Sequence, residues 1–150
     1  MSDNKYAGLK LKNQIGFPLY AAAREVTKLY RPYLEKIDLT YTQYVTMIVL
    51  WEEKKISAKE LGKKLFLDSG TLTPVLKSLE AKGVIKRYRD IDDERVLIIE
   101  ITDQGVALKD KAVCVPEAMS KAVALEPDEI IQLYKLLYKL LGSGDIKIDI

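Results

Sequence analysis

The stretch that most restricts the fold runs from Thr40 to Ile101, where the spacing of apolar residues changes once, at Gly83. Before that glycine come three helical segments, each opened by a capping side chain. Thr40 with Gln43 and Ser57 with Glu60 are capping-box pairs, in which a hydroxyl accepts a free amide and the residue three places on returns the bond. Behind these caps, Tyr44, Met47, Ile48 and Trp51, then Ala58, Leu61 and Leu65, recur at helical intervals. The third segment reads LFLDSGTLTPVLKSLEAKG, Leu65 to Gly83. Asp68 is placed to accept the first free amides, Leu72, Val75, Leu76 and Leu79 form one apolar face, and Gly83 supplies the stop. That phase turns Ser69, Thr73 and Lys77 outward, with Gly70 and Ser78 beside them. Pro74 cannot donate a helical hydrogen bond, so the first turn is loosely specified.

Beyond Gly83 the period shortens. Val84 to Tyr88 and Val96 to Ile101 are β-rich runs on either side of Arg89-Asp90-Ile91-Asp92-Asp93-Glu94-Arg95, a length that suits a long hairpin tip. Thr102 then caps a helix through Val106, Leu108, Ala112 and Val113 that ends near Pro116, with a further turn before Leu125. The last helix starts at Pro127, carries Asp128 and Glu129 beside its positive end, and presents Ile130, Leu133, Tyr134, Leu137, Tyr138 and Leu141. It ends at Gly142-Ser143-Gly144. At the other end, Leu9 to Glu35 reads as one long helix with a kink or restart at Gly16 and Pro18, and its apolar stripe runs from Leu19 to Tyr33.

Composition narrows the chemistry. The 150 residues, 48% hydrophobic and 31% charged, describe one globular domain over 1–150. Histidine is absent and Cys114 is the only cysteine, which removes the usual zinc sites, histidine bases and intrachain disulfides. No enzyme activity, catalytic residue, metal or cofactor is expected. Without an apolar run long enough to span a bilayer, and with no secretory leader after Met1, the expected location is the cytoplasm, with no membrane partner. Net charge is only +2, but Lys54 to Arg95 holds eight lysines and three arginines against seven acidic residues, a local surplus of +4.

Two short helices, a tight turn and a charged β ribbon in that order form a winged helix-turn-helix. The expected fold is therefore mainly α with a small β-hairpin wing, its DNA-binding lobe spanning approximately 39–101. A helix fits the major groove, and a ribbon can reach the minor groove with an arginine. Alone, Asp68-Ser69-Gly70-Thr71 is an ordinary helix cap; followed by the ribbon it becomes the start of a recognition helix. On this reading Ser69, Gly70, Thr71 and Thr73 meet phosphates and base edges, and Lys77 meets the backbone. Arg95 reaches the minor groove with Asp93 holding its guanidinium, while Lys86, Arg87 and Arg89 add phosphate attraction. The terminal segments, 6–38 and 102–142, carry apolar stripes wider than a DNA-binding core needs. They are expected to dimerise two chains over a pseudo-palindromic double-stranded operator.

The chain resembles the MarR family of bacterial winged-helix repressors, nearest the organic hydroperoxide resistance regulators and related staphylococcal global regulators. The likeness rests on Leu67-Asp68-Ser69-Gly70-Thr71-Leu72-Thr73-Pro74 with Leu76-Lys77, and on Asp92-Asp93-Glu94-Arg95. Thr40-Tyr41 to Tyr44 and Phe17 to Tyr20 add to it. It implies a homodimeric repressor released from DNA by a ligand or by oxidation. Peroxide-sensing members carry a reactive cysteine where this chain has Gly16, while Tyr30 and Tyr41 match the tyrosines that hold the thiolate. Release by a small apolar or aromatic effector is therefore expected, in space beside Gly16, Tyr20, Tyr30 and Tyr41. Cys114, between Val113 and Val115, is expected to be a buried, inert thiol. The alternatives are a peroxide-responsive repressor using Cys114 and a winged-helix module that binds protein rather than DNA.

Overall fold

The computed structural model describes residues 5–142. Two 3-10 turns, Ala7–Leu9 and Leu11–Asn13, lead into α1 (Gly16–Glu35), α2 (Tyr41–Glu53), β1 (Lys55–Ser57), α3 (Ala58–Leu65) and α4 (Ser69–Ala81). Then follow β2 (Ile85–Arg89), β3 (Leu97–Ile101), α5 (Asp103–Ala112), α6 (Cys114–Ala122) and α7 (Pro127–Leu140). The chain is mainly helical with a small antiparallel sheet, a winged helix-turn-helix. It divides into two compact units, Met1–Met119 and Ser120–Ile150.

The helix starts follow the caps. At α2 the box closes from both sides: Gln43 N donates to Thr40 Oγ1 at 3.3 Å and Thr40 N donates to Gln43 Oε1 at 3.0 Å. Ser57 Oγ accepts from Glu60 N at 3.1 Å, but the Glu60 carboxylate takes Lys63 instead of returning the bond. Thr102 Oγ1 accepts from Gly105 N at 3.1 Å and opens α5. Of the kink or restart expected at Gly16 and Pro18, α1 shows the restart. Regular helix begins only at Gly16, so Pro18 falls in the first turn, where amides have no helical acceptor to lose. Pro32 stands inside the last turns, and the helix continues to Glu35.

The hairpin has an extra member. Lys55–Ser57 pairs antiparallel with β3, Ile56 opposite Ile99, so the sheet has the order β1-β3-β2. On the other side β3 pairs with β2 from Ile85 opposite Ile101 to Arg89 opposite Leu97. Met47 and Leu50 of α2, Leu61 of α3, Leu76 and Leu79 of α4, Ile99 of β3 and Val115 of α6 form the buried centre. Burial of such side chains stabilises by roughly 1.5–3 kcal/mol each. Trp51 Nε1 donates to the Gly105 carbonyl at 2.9 Å, and a Cβ on Gly105 would collide with Val84 O, so only glycine lets α5 approach the sheet this closely.

Two helices leave apolar residues uncovered. Within the first unit, α1 buries only Leu34, while Phe17, Leu19, Tyr20, Val26 and Leu29 are exposed. In the second unit, α7 has no buried residue and exposes Leu133, Tyr134, Leu136 and Leu140, with Tyr134 and Tyr138 stacked at 6.2 Å. Gly142, at φ 73°, ends α7; Ser143 and Gly144, also assigned to that stop, lie outside the described residues.

Cys114 is exposed, contrary to the expectation of a buried thiol. Ala112, Val115 and Met119, at i, i+3, i+7 spacing, take the buried positions, and Val113 and Cys114 between them face outward. Its Sγ donates to Lys111 O at 3.5 Å.

Candidate nucleic-acid interface

The turn between α3 and α4 is built by close approach. Phe66 adopts the left-handed conformation at φ 54°, and Leu67 N donates to Gly62 O at 3.0 Å. A Cβ on Gly62 would meet Leu67 O at 2.9 Å, so glycine at this helical position sets the angle at which the chain enters α4. Asp68 Oδ1 then accepts from Thr71 N at 2.7 Å. The Thr71 amide holds the Asp68 carboxyl below the usual carboxylate range, because hydrogen bonds to the ionised form favour it.

From that cap Ser69, Thr73 and Lys77 follow along one exposed face of α4 with Gly70 beside them, and Thr71 is exposed in the first turn. Thr73 Oγ1 donates to Ser69 O at 2.7 Å, which leaves its oxygen as an acceptor toward anything outside the helix. Ser78 turns away from that face, half-buried against α2.

At the hairpin tip Arg95 is tied to Asp93 by two side-chain bonds, Nε to Oδ1 at 3.0 Å and Nη2 to Oδ2 at 3.1 Å, and by its own amide to Oδ1 at 3.1 Å. This fork holds the Asp93 carboxyl below its ordinary range, the side-chain bond from Arg95 first. The Arg95 side chain is nevertheless 91% exposed, a fixed guanidinium projecting into solvent. Arg89 is exposed nearby, and Lys86 pairs with Glu100 at 3.2 Å on the sheet face. Glu100 also accepts from Tyr88 Oη at 2.9 Å, the larger cause of its lowered pKa.

Arg87 behaves differently from the other wing cations. Its Nη2 donates to Glu80 Oε1 of α4 at 3.0 Å, and its Nε is buried without a partner among the described residues. It binds the wing to α4 instead of facing outward. A groove of about 830 Å³ runs between α3, α4 and the sheet, and Lys59, Lys63 and Phe66 join Ser69, Thr73 and Arg89 along it. Lys59, Lys63 and Phe66 were missed in the sequence; the i, i+4 spacing of Lys59 and Lys63 on the outer face of α3 was the available signal.

A second cleft, about 800 Å³, lies between α1 and the start of α2. Of the four residues assigned to an effector, Tyr20 and Tyr41 line it and Gly16 and Tyr30 do not. Tyr30 instead packs edge-on against Tyr41 at 4.9 Å and faces Tyr44 at 6.0 Å. Burial first, then Tyr41, pushes the Tyr44 hydroxyl pKa up. A Cβ on Gly16 would meet nothing within 4 Å. The cleft also holds Arg24, Lys28 and Arg31 along one side of α1, with Glu35 in its lining and Glu25 paired to Lys28 at 3.0 Å.

The family described as transcriptional regulator SarA/Rot matches residues 28–112. An organic hydroperoxide resistance transcriptional regulator of Bacillus subtilis is 44% identical over 141 residues, covering 94% of this chain and 96% of that one. The regulator SarZ of Staphylococcus haemolyticus is 43% identical over 134 residues, 89% of this chain and 91% of the other. Among solved structures, reduced AbfR bound to DNA is 36% identical with a TM-score of 0.74, over 92% of this chain and 96% of that one. A mutant of MarR from E. coli complexed with operator DNA is 28% identical with a TM-score of 0.78, over 88% and 99% of the two chains.

Proposed function

Because this chain belongs to the MarR family of winged helix-turn-helix regulators, in the branch of the organic hydroperoxide resistance regulators, SarZ and AbfR, we propose that it works as a homodimeric repressor. As a family member it is a sequence-specific DNA-binding transcriptional regulator and not an enzyme. In the proposed complex α4 enters the major groove with Ser69, Gly70, Thr71 and Thr73 near base edges and phosphates, and Lys77 meets the backbone. Each wing carries Arg95 into the adjacent minor groove, with Arg89 and Lys86 drawn to phosphates. Arg87 acts from behind, through Glu80. The exposed apolar faces of α1 and α7 are the surfaces that two chains would cover together.

The observation that carries the wing assignment is the Arg95–Asp93 fork at a 91% exposed side chain. A free arginine loses rotamer freedom on entering a narrow groove, and one already held loses less. Release is assigned to a small aromatic effector in the cleft between α1 and α2, where Tyr20 and Tyr41 offer rings and Arg24 and Arg31 favour an anionic group.

The test is a pair of affinity measurements on operator and scrambled duplex. Arg95→Ala is expected to bind the operator roughly tenfold more weakly and to lose preference for a narrow, A·T-rich minor groove. Equal operator affinity for the two proteins would remove the wing from the mechanism. No binding of either duplex by the wild type, even at low salt, would favour the protein-interaction module instead.

A further inference from the structure

Gln43 is read from the sequence as a capping residue, and the cap accounts for only part of what its side chain does. The side chain is buried, 6% exposed, and both ends of its amide are bonded. Oε1 accepts from Thr40 N at 3.0 Å and from Lys82 Nζ at 3.1 Å, while Nε2 donates to Ser78 Oγ at 2.9 Å. Ser78 lies near the end of α4 and Lys82 is its C-terminal cap, so one amide on α2 holds the back of the helix whose front carries Ser69 and Thr71. Lys82 also donates to the Asp38 carbonyl and lies 3.5 Å from the Asp38 carboxylate, in the turn between α1 and α2.

We propose that Gln43 is a positioning residue for DNA reading: through Ser78 and Lys82 it sets the tilt of α4, and so the place its N-terminal residues take in the major groove. The lever is long enough to matter. Nine residues separate Ser69 from Ser78, about 13 Å along a helix, so a tilt of about 5° moves the front by about 1 Å. Hydrogen bonds from nitrogen occupy a window of only about 0.5 Å, and a displacement of that size breaks base-edge contacts. Phosphate attraction falls slowly with distance and survives it. Loss of Gln43 therefore removes discrimination between sequences more than it removes binding.

The proposal rests on α4 being the recognition helix, and the test separates the two ideas. The probe is the duplex that wild-type protein selects from a randomised library, compared with a scrambled duplex over a salt titration. Steep salt dependence and preference for the selected duplex by the wild type secure the recognition helix itself. Gln43→Leu, which keeps the volume and removes the amide, is then expected to lose about tenfold on the selected duplex, with scrambled binding and salt slope unchanged. Ser78→Ala leaves the α2 cap intact and is expected to lose about threefold in the same sense, with its melting temperature only a few degrees below wild type. Gln43→Glu can still accept from Thr40 and Lys82 and receive the Ser78 hydroxyl proton, and is expected to restore selectivity to within about twofold. The proposal is overturned if Ser78→Ala reads DNA as wild type does, if the variants lose both duplexes in proportion, or if Gln43→Glu is no better than Gln43→Leu.

Discussion

Replacing Gly62 with alanine puts a methyl group 2.9 Å from the Leu67 carbonyl oxygen, with Leu72 Cδ2 next at 3.8 Å. Carbon settles nearer about 3.5 Å from its neighbours, so the turn must retreat by about 0.6 Å. The opposing atom is backbone, and it cannot swing aside as a side-chain end could. Overpacking of this kind costs roughly 1–3 kcal/mol, while alanine in a helix returns about 1 kcal/mol over glycine. The net loss is then about 1 kcal/mol, a fall in Tm of about 2–4 °C for a chain of this size. The functional effect should exceed the stability effect, because the residues pushed back are Leu67 and Asp68, the platform from which α4 starts. Differential scanning fluorimetry and operator titration on the same preparation separate the two. The reasoning predicts a folded protein, slightly less stable, with operator affinity reduced severalfold. An unchanged Tm together with unchanged operator affinity would refute the claim that this close approach sets the entry to α4.

Acidification should weaken the DNA-binding lobe through four carboxyls. Asp68, Glu80, Asp93 and Glu100 all have pKa values lowered in the fold, chiefly by Thr71, Arg87, Arg95 and Tyr88 respectively. A depressed folded pKa adds stability that is complete above the unfolded value, near about 4, and lost as pH falls through the folded one. Tm should hold above about pH 5 and drop below about pH 4, less steeply in Asp68→Asn; identical profiles would remove Asp68 from the linkage. Exposed Cys114 should react with a thiol reagent in the native protein without denaturant. Low micromolar organic hydroperoxide should leave the operator bound, and Cys114→Ser should bind as wild type; oxidation of Cys114 coupled to release would show that the sensor had moved there. Analytical ultracentrifugation at micromolar protein should report a dimer, and a stable monomer would leave the apolar faces of α1 and α7 unexplained.

What could be read in the sequence was mostly local. A cap and its amide lie within three residues, so Thr40, Ser57, Asp68 and Thr102 announced four helices before any long-range contact was known. β1 could not be seen this way, since three residues carry no period and Lys55–Ser57 becomes a strand only because β3 lies beside it. The fate of Arg87 depended on Glu80, reached by folding the wing against α4. Cys114 sat in an apolar run, but Ala112, Val115 and Met119 form the row that is buried, and Cys114 lies off it. Gln43 declared its cap and concealed its bonds to Ser78 and Lys82, which are 35 and 39 residues away. In the cleft, tyrosines stood out while Arg24, Lys28 and Arg31 looked like the solvated face of any long helix.

The measurement that bears most directly on the account is a titration of the protein with its selected duplex at several salt concentrations, with the mass of the complex recorded at saturation. The account predicts two chains per duplex and a binding constant that falls steeply with salt, the scrambled duplex binding far more weakly at every concentration. One chain per duplex, or equal affinity for selected and scrambled DNA, would contradict it.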